Sequence, residues 1–256
     1  MSVPPEPPPP PPEPPRPPEP PPPPPPPSRP PALPTLGAAE RVRIAYQRRY
    51  ETDYVFSYGT ALGWTVLTCG IFGYYVIYQL VRRMRDHNRR RLDLLEAAIA
   101  VAWEQAQRRP AVADELRPTF ESMAGNLNVL RQMTSDFREP AVWTLLAWVS
   151  GGIATLVAFV LLDGDLVRHT AAERAVQADL ARVYLRLGHD LGPVEPAGVK
   201  GRHRYGGRIA ATVLTLGIYL FWWYRDVMVE PNRHFAEDWA WEDRLGVAVH
   251  ALSTAA

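Results

Sequence analysis

The sequence predicts an all-α fold: about three transmembrane helices, amphipathic helices between them, and a disordered proline-rich tail at the N-terminus. Three observations carry that prediction. Prolines are concentrated, with 23 of the 29 lying in residues 1–34 of a 256-residue chain. Three long stretches, 54–81, 141–162 and 209–224, contain no charged residue. Between them, apolar residues recur at spacings of three and four, the period of a helix with one buried face.

The tail comes first. Residues 1–36 have almost nothing apolar to bury, and proline offers no backbone N–H, so no folded core can start there. Runs such as 21–27 favour an extended polyproline II rod of about 3.1 Å per residue. Glu6, Glu13, Glu19, Arg16 and Arg29 keep it solvated. Such a rod fits an aromatic-grooved binding module. Its uniform repeat specifies no single partner, however, and a spacer is the simpler reading. No basic stretch leads into an apolar one near Met1, so no signal peptide is expected.

The charge-free stretches are 28, 22 and 16 residues long. A helix needs about 20 apolar residues to cross a bilayer. The third stretch is short, but Arg208 and Arg225 at its ends can snorkel to the headgroups. Tyr74, Tyr75 and Tyr78 in the first stretch, and Trp222, Trp223 and Tyr224 in the third, cluster where an interfacial belt would lie. Basic residues on the two sides of three spans tie in number, so orientation stays open. The tie admits another topology, with the first or third stretch a re-entrant hairpin covered by its neighbours. Three spans remain the expectation. They divide the body into 37–140 (first membrane repeat with arginine-rich amphipathic helices), 141–190 (second span and its helix) and 191–256 (third repeat with a C-terminal helix).

Leu92, Leu95, Ile99, Ala102 and Ala106 form one amphipathic stripe. Leu116, Phe120, Met123, Leu127 and Leu130 form the next, with Pro118 in a first turn. Thr170-Ala171-Ala172-Glu173 reads as a capping box opening a further helix. Val176, Leu180, Val183 and Leu187 stripe that helix, and Gly188 is placed to stop it.

The body repeats itself. Thr65-Val66-Leu67-Thr68-Cys69-Gly70-Ile71 matches Thr212-Val213-Leu214-Thr215-Leu216-Gly217-Ile218 at six of seven positions, and His87 and His234 keep the same offset. A weaker middle copy aligns Gly152-Ile153 and His169. Gly-Ile followed after fifteen residues by His thus occurs three times. A glycine in a membrane helix lets another backbone approach, and nearby hydroxyls bond across. Thr68, Gly70, Gly152, Thr215 and Gly217 are the expected helix-packing residues. Arg82, Arg83, Arg85, Arg89, Arg90 and Arg91, with Trp222 and Trp223, are the expected membrane-surface residues. Each basic side chain near an anionic leaflet adds about 1 kcal/mol of attraction.

Thr215-Leu216-Gly217-Ile218-Tyr219, followed by Phe221-Trp222-Trp223-Tyr224-Arg225, resembles the opening of a bacterial membrane family, domain-of-unknown-function family four-two-three-four. Thr68-Cys69-Gly70-Ile71-Phe72 with Tyr74-Tyr75 resembles a diverged second copy. Each copy covers about 30 residues. Leu220 stands where that family often has glycine, which Gly73 keeps in the first copy. The resemblance implies a multi-pass bacterial membrane protein. It brings no activity and no catalytic residue with it.

Chemistry is sparse. No P-loop, Rossmann glycine pattern, H-E-x-x-H or G-x-S-x-G occurs. The net charge of +1 offers nucleic acid no field. Cys69, the single cysteine, lies in an apolar stretch where a thiol packs. No partner carboxylate is read at one fixed offset from all three repeated histidines. Glu237 and Asp238, near His234, are adjacent and do not face one another on a helix. Trp239 and Trp241 among these acids read as an interfacial helix. No catalytic, cofactor-binding or metal-binding residue is assigned. A metal enzyme would require His87, His169 and His234 to converge within about 5 Å. The expected function is a non-enzymatic scaffold or interaction protein of the bacterial envelope that presents the proline-rich arm. An oligomeric channel or small transporter component is the alternative. The expected partners are the lipid bilayer, a protein that reads the arm, and further copies of the chain.

Overall fold

None of the three charge-free stretches forms one helix, because a turn interrupts each. The computed structural model describes residues 36–194 and 201–254, and the proline tail up to residue 35 lies outside them. Two helices precede the first stretch, α1 (Ala38–Gln47) and α2 (Arg49–Thr52). The first stretch holds α3 (Tyr58–Leu67) and the start of α4 (Ile71–Gln107), and α5 (Pro110–Ser135) follows. The second holds α6 (Pro140–Val149) and the start of α7 (Ile153–Arg186). The third takes in most of α8 (Tyr205–Leu214) and the start of α9 (Leu220–Thr254).

The turns share one chemistry: Thr68-Cys69-Gly70, Ser150-Gly151-Gly152 and Thr215-Leu216-Gly217. In each, the last glycine N–H reaches back five residues, Gly70 to Thr65, Gly152 to Ala147 and Gly217 to Thr212, at 2.8–2.9 Å. This closes the short helix in a Schellman motif. Two successive residues take left-handed backbone. φ is +51° and +93° at Cys69 and Gly70, +60° and +94° at Gly151 and Gly152, and +50° and +91° at Leu216 and Gly217. The hydroxyls of Thr68, Ser150 and Thr215 then accept the N–H of Phe72, Ala154 and Tyr219, each at 2.9 Å. One hydroxyl thereby satisfies an orphan donor at the start of the next helix.

This corrects the expected helix-packing seam. A Cβ built on Gly70, Gly152 or Gly217 meets nothing within 4 Å. Those glycines are required for their positive φ, not for close approach. In the first hairpin it is Gly73 that packs, since a Cβ there would lie 3.4 Å from Thr65 Cγ2. The expected spans are corrected too. Among the described residues, no helix is long and apolar enough to cross a membrane. The hairpin shape, considered for the first or third stretch, occurs in all three.

The long helices α4, α7 and α9 have 34–37 residues, roughly 50–55 Å at 1.5 Å per residue. Their N-terminal parts and the short helices enclose one apolar core, including Ile77, Leu80, Phe159, Leu162, Trp223 and Met228. Their C-terminal parts enclose a second core with α1 and α5, including Leu94, Leu95, Met123, Leu180, Tyr184 and Leu245. Each short helix lies against the long helix of another repeat. α3 packs on α9 and α6 on α4. Tyr205 at the start of α8 donates to Asp163 of α7 at 2.5 Å.

Two smaller expectations change. α7 runs unbroken through residues 170–173, so no capping box opens there. Thr170 Oγ1 instead donates to the Leu166 carbonyl at 2.7 Å, inside a continuous ladder with no orphan N–H to cap. α5 starts at Pro110, which leaves Pro118 in its interior. Gly188 does sit just past α7, at φ +98°, and the stripe Val176, Leu180, Val183 and Leu187 is buried.

Candidate functional site

Identical turns place the three long helices in identical register. Sixteen residues past Ile71, Ile153 and Ile218 stand His87, His169 and His234. Their ring centroids form a near-equilateral triangle with sides of 5.3, 5.3 and 5.7 Å. The three residues are 0%, 2% and 6% exposed. Their layer separates the two apolar cores in sequence along α4 and α7, while on α9 Phe235 of the first core follows His234 and stacks against His87 at 4.4 Å.

One helical turn further on, at i+4, come Arg91, Glu173 and Asp238. This fixed offset is the signal that the sequence reading passed over. It carries a carboxylate in two copies and a guanidinium in the third. Arg91 Nε donates to Glu173 Oε1, and Arg91 Nη1 donates to Glu242 Oε1 at 2.6 Å. Arg90 bridges Glu242 Oε1 at 2.7 Å and Asp53 Oδ2 at 2.6 Å. Asp53 Oδ1 accepts the Nδ1 proton of His87 at 2.9 Å, and Asp53 Oδ2 accepts the indole N–H of Trp239 at 2.8 Å. Gln177 donates to Asp238 Oδ1 at 3.3 Å.

Asp53 uses both oxygens, but Glu173, Asp238 and Glu242 use one each and leave the other bare. Among the described residues, Glu173 Oε2, Asp238 Oδ2 and Glu242 Oε2 have no hydrogen-bond donor. The same holds for both ring nitrogens of His169 and His234, and for Nε2 of His87. Such buried orphans are costly in an interior unless something binds them. The atoms converge. Glu173 Oε2 lies 3.4 Å from His169 Nε2 and 3.3 Å from His234 Nε2, and Asp238 Oδ2 lies 3.2 Å from His234 Nε2 and 3.7 Å from His87 Nε2.

The electrostatics follow from burial and neighbours. Burial pulls the His87 imidazole down to about 4 in spite of Asp53, so the ring is neutral at pH 7. Burial disfavours the charged His234 ring as well, but Asp238 and Glu173 outweigh it and hold its pKa above the ordinary value. Burial would raise the Glu173 carboxyl, yet Arg91 and His169 hold it well below the usual range. Burial raises Glu242 despite Arg91 and Arg90.

The expected membrane-surface residues divide along the helix period. Arg83, Arg90, Arg91 and Trp223 are buried. Positions 83, 87, 90, 91 and 94 share the inward face of α4, while Arg82 and Arg89 point outward. Arg85 is part-buried and bonds to Glu139 at 3.1 Å. Arg83 donates to the Val227 and Met228 carbonyls at 2.9 and 3.0 Å, tying α4 to α9. Burial lowers it to about 9, so it stays charged at pH 7. Trp222 is exposed, whereas Trp241 is buried, so the C-terminal helix is not interfacial there. A second convergence, Asp163, His203 and Glu230, locks the root of α8, with His203 Nδ1 2.8 Å from Asp163 Oδ1 and Nε2 3.3 Å from Glu230 Oε1.

The other end of the molecule is apolar and exposed. Of 26 large apolar side chains exposed among the described residues, 21 lie in the three charge-free stretches, so they form a patch rather than a scatter. The tips sit together, because Gly70, Gly152 and Gly217 line one cavity of about 250 Å³ with Leu62, Phe159 and Leu220. Cys69, expected to pack, is exposed at the first tip.

No known family model matches the chain, and no curated protein or solved structure is detectably similar to it. The resemblance on the Thr-Leu-Gly-Ile-Tyr stretch rests on its own residues.

Proposed function

We propose that the protein is a non-enzymatic scaffold that presents its proline-rich arm to a partner and is seated in one leaflet of a membrane by its three hairpins. The observation that carries this reading is the depth of the apolar end. The uncharged short helices α3 and α6 have 10 residues, about 15 Å at 1.5 Å per residue, and α8 has six between Arg208 and its turn, about 9 Å. On the long helices the first charges, Arg82, Asp163 and Arg225, come 11, 10 and 7 residues past Ile71, Ile153 and Ile218, about 10–16 Å. Half of a hydrocarbon core of about 30 Å is about 15 Å. Exposed Arg82, Arg168 and Arg225 then stand at headgroup depth. At each tip the backbone N–H groups all find acceptors within the chain, as lipid demands.

The test uses residues that bear no structural load. Leu67, Val149 and Leu214 are 71%, 71% and 83% exposed. Burying a side chain of this kind in lipid is worth roughly 1.5–3 kcal/mol. The triple variant L67E/V149E/L214E should bind lipid vesicles at least ~100-fold more weakly than the parent. A parent that stays in the aqueous phase, or a variant that binds equally well, overturns the reading. Cys69 supplies a second readout. In sealed vesicles it should resist a membrane-impermeant maleimide from either side and react once detergent is added. Labelling from the far side would instead mean that the hairpins cross.

A further inference from the structure

We infer that the histidine layer is a metal centre, in which Nε2 of His87, His169 and His234 and Oε2 of Glu173 hold one divalent first-row transition ion such as zinc. Four features point there. The donor atoms are those whose hydrogen-bonding capacity the fold leaves unused, in side chains buried by more than nine-tenths. Their ligating atoms all lie within 4.8 Å of one another. The His169–Glu173 and His234–Glu173 separations, 3.4 and 3.3 Å, match the edge of a tetrahedron with bonds of 2.0–2.1 Å, which is about 3.4 Å. A hydrogen-bonded histidine–carboxylate pair would sit closer, as His87 and Asp53 do at 2.9 Å.

The surrounding groups are arranged as metal ligands require. Asp53 accepts the Nδ1 proton of His87, which fixes the tautomer that presents a lone pair on Nε2. Arg91 occupies Oε1 of Glu173 and leaves Oε2 for the ion. Four buried carboxylates, Asp53, Glu173, Asp238 and Glu242, face three guanidinium groups, Arg90, Arg91 and Arg174. Metal ligation takes the rings neutral, and these carboxylates then exceed the guanidinium groups by one negative charge, which the ion offsets. Imidazole and carboxylate without thiolate suit zinc or iron(II). Four protein donors in a closed layer describe a structural site, one that ties α4, α7 and α9 together at the waist.

The experiment takes the full chain, purified in mild detergent through a tag without histidine. Inductively coupled plasma mass spectrometry should find one zinc or iron per chain. After chelator treatment, Co²⁺ should restore one equivalent with the visible d–d bands of a nitrogen–oxygen site, and Zn²⁺ should displace it. H169A should lose that spectrum. D53N should weaken Co²⁺ about 10- to 100-fold, the usual effect of removing an outer-shell partner. H203A, in the second cluster, should leave the spectrum unchanged. The parent alone is decisive if the variants do not fold. A metal-free parent whose cobalt shows only the aquo-ion spectrum overturns the site and means that the rings share protons instead. Loss of the ion in H203A with retention in H169A also overturns it.

Discussion

The hairpin tips and the histidine layer sit on the same three helices, yet they use threefold repetition in opposite ways. At the tips the three copies are chemically alike: a hydroxyl residue, a left-handed residue, a glycine and an isoleucine. One turn past the histidines they differ: Arg91, Glu173, Asp238. The reason is electrostatic. A turn asks each chain segment for the same backbone angles independently of its neighbours. Three side chains that meet at one point interact, and three like charges in an interior would repel strongly. Local geometry therefore preserves the repeat, while convergence breaks it.

Removing the cation from the convergent layer should do the most damage. R91M leaves Glu173 buried without a guanidinium and Glu242 with Arg90 alone, and breaking a buried pair in this way costs about 3–5 kcal/mol. Urea unfolding in detergent should report it. A sharper test exchanges charges between helices. If the layer is truly threefold, the double variant R91D/D238R keeps the total charge. It should recover about 1–3 kcal/mol relative to the sum of its single variants. Strict additivity would mean that each position is specialised and that the layer is not interchangeable.

This difference also explains what was legible in the sequence. The helical class was legible, because hydrophobic period and charge-free length depend on near neighbours. So was the stop at Gly188. The turn inside each charge-free stretch was legible only as an alternative for the first or third, since its residues are as apolar as a spanning helix and its distinguishing feature is a backbone angle. Thr68 and Gly70 stood out as repeated, but repetition alone does not tell a seam from a turn. The histidines were noticed as a set, and their meeting depended on register that only the paired turns supply. In the sequence Glu173 fits a capping box, because Thr170 precedes it by three. Its offset of four from His169, shared by Asp238 and His234, was the better clue. Arg83, Arg90 and Arg91 were assigned to the surface because arginine usually belongs there.

At the tips the effects should be smaller and nearly equal. G70A, G152A and G217A each force an alanine into φ near +92° with no steric neighbour. The cost is conformational, about 1–2 kcal/mol apiece. Thermal unfolding should show three similar losses. One much larger than the others would mean that its hairpin does more than turn. T215A and S150A remove the hydroxyl cap on α9 and α7, and should cost about 1 kcal/mol each.

The smallest effect separates the two demands made on a tip. Leu216 holds φ at +50° and is 95% exposed, while the equivalent Gly151 takes φ +60° without strain. An L-residue there costs about 1 kcal/mol, and a leucine that contacts only water would give nothing back. L216G should therefore stabilise the detergent-solubilised fold by up to ~1 kcal/mol while weakening vesicle binding about tenfold, as expected for one lost apolar side chain. G151L should do the reverse at the second tip. If L216G stabilises the fold and leaves vesicle binding unchanged, the strained leucine is not there for lipid, and the likeness of the three tips is a matter of backbone alone.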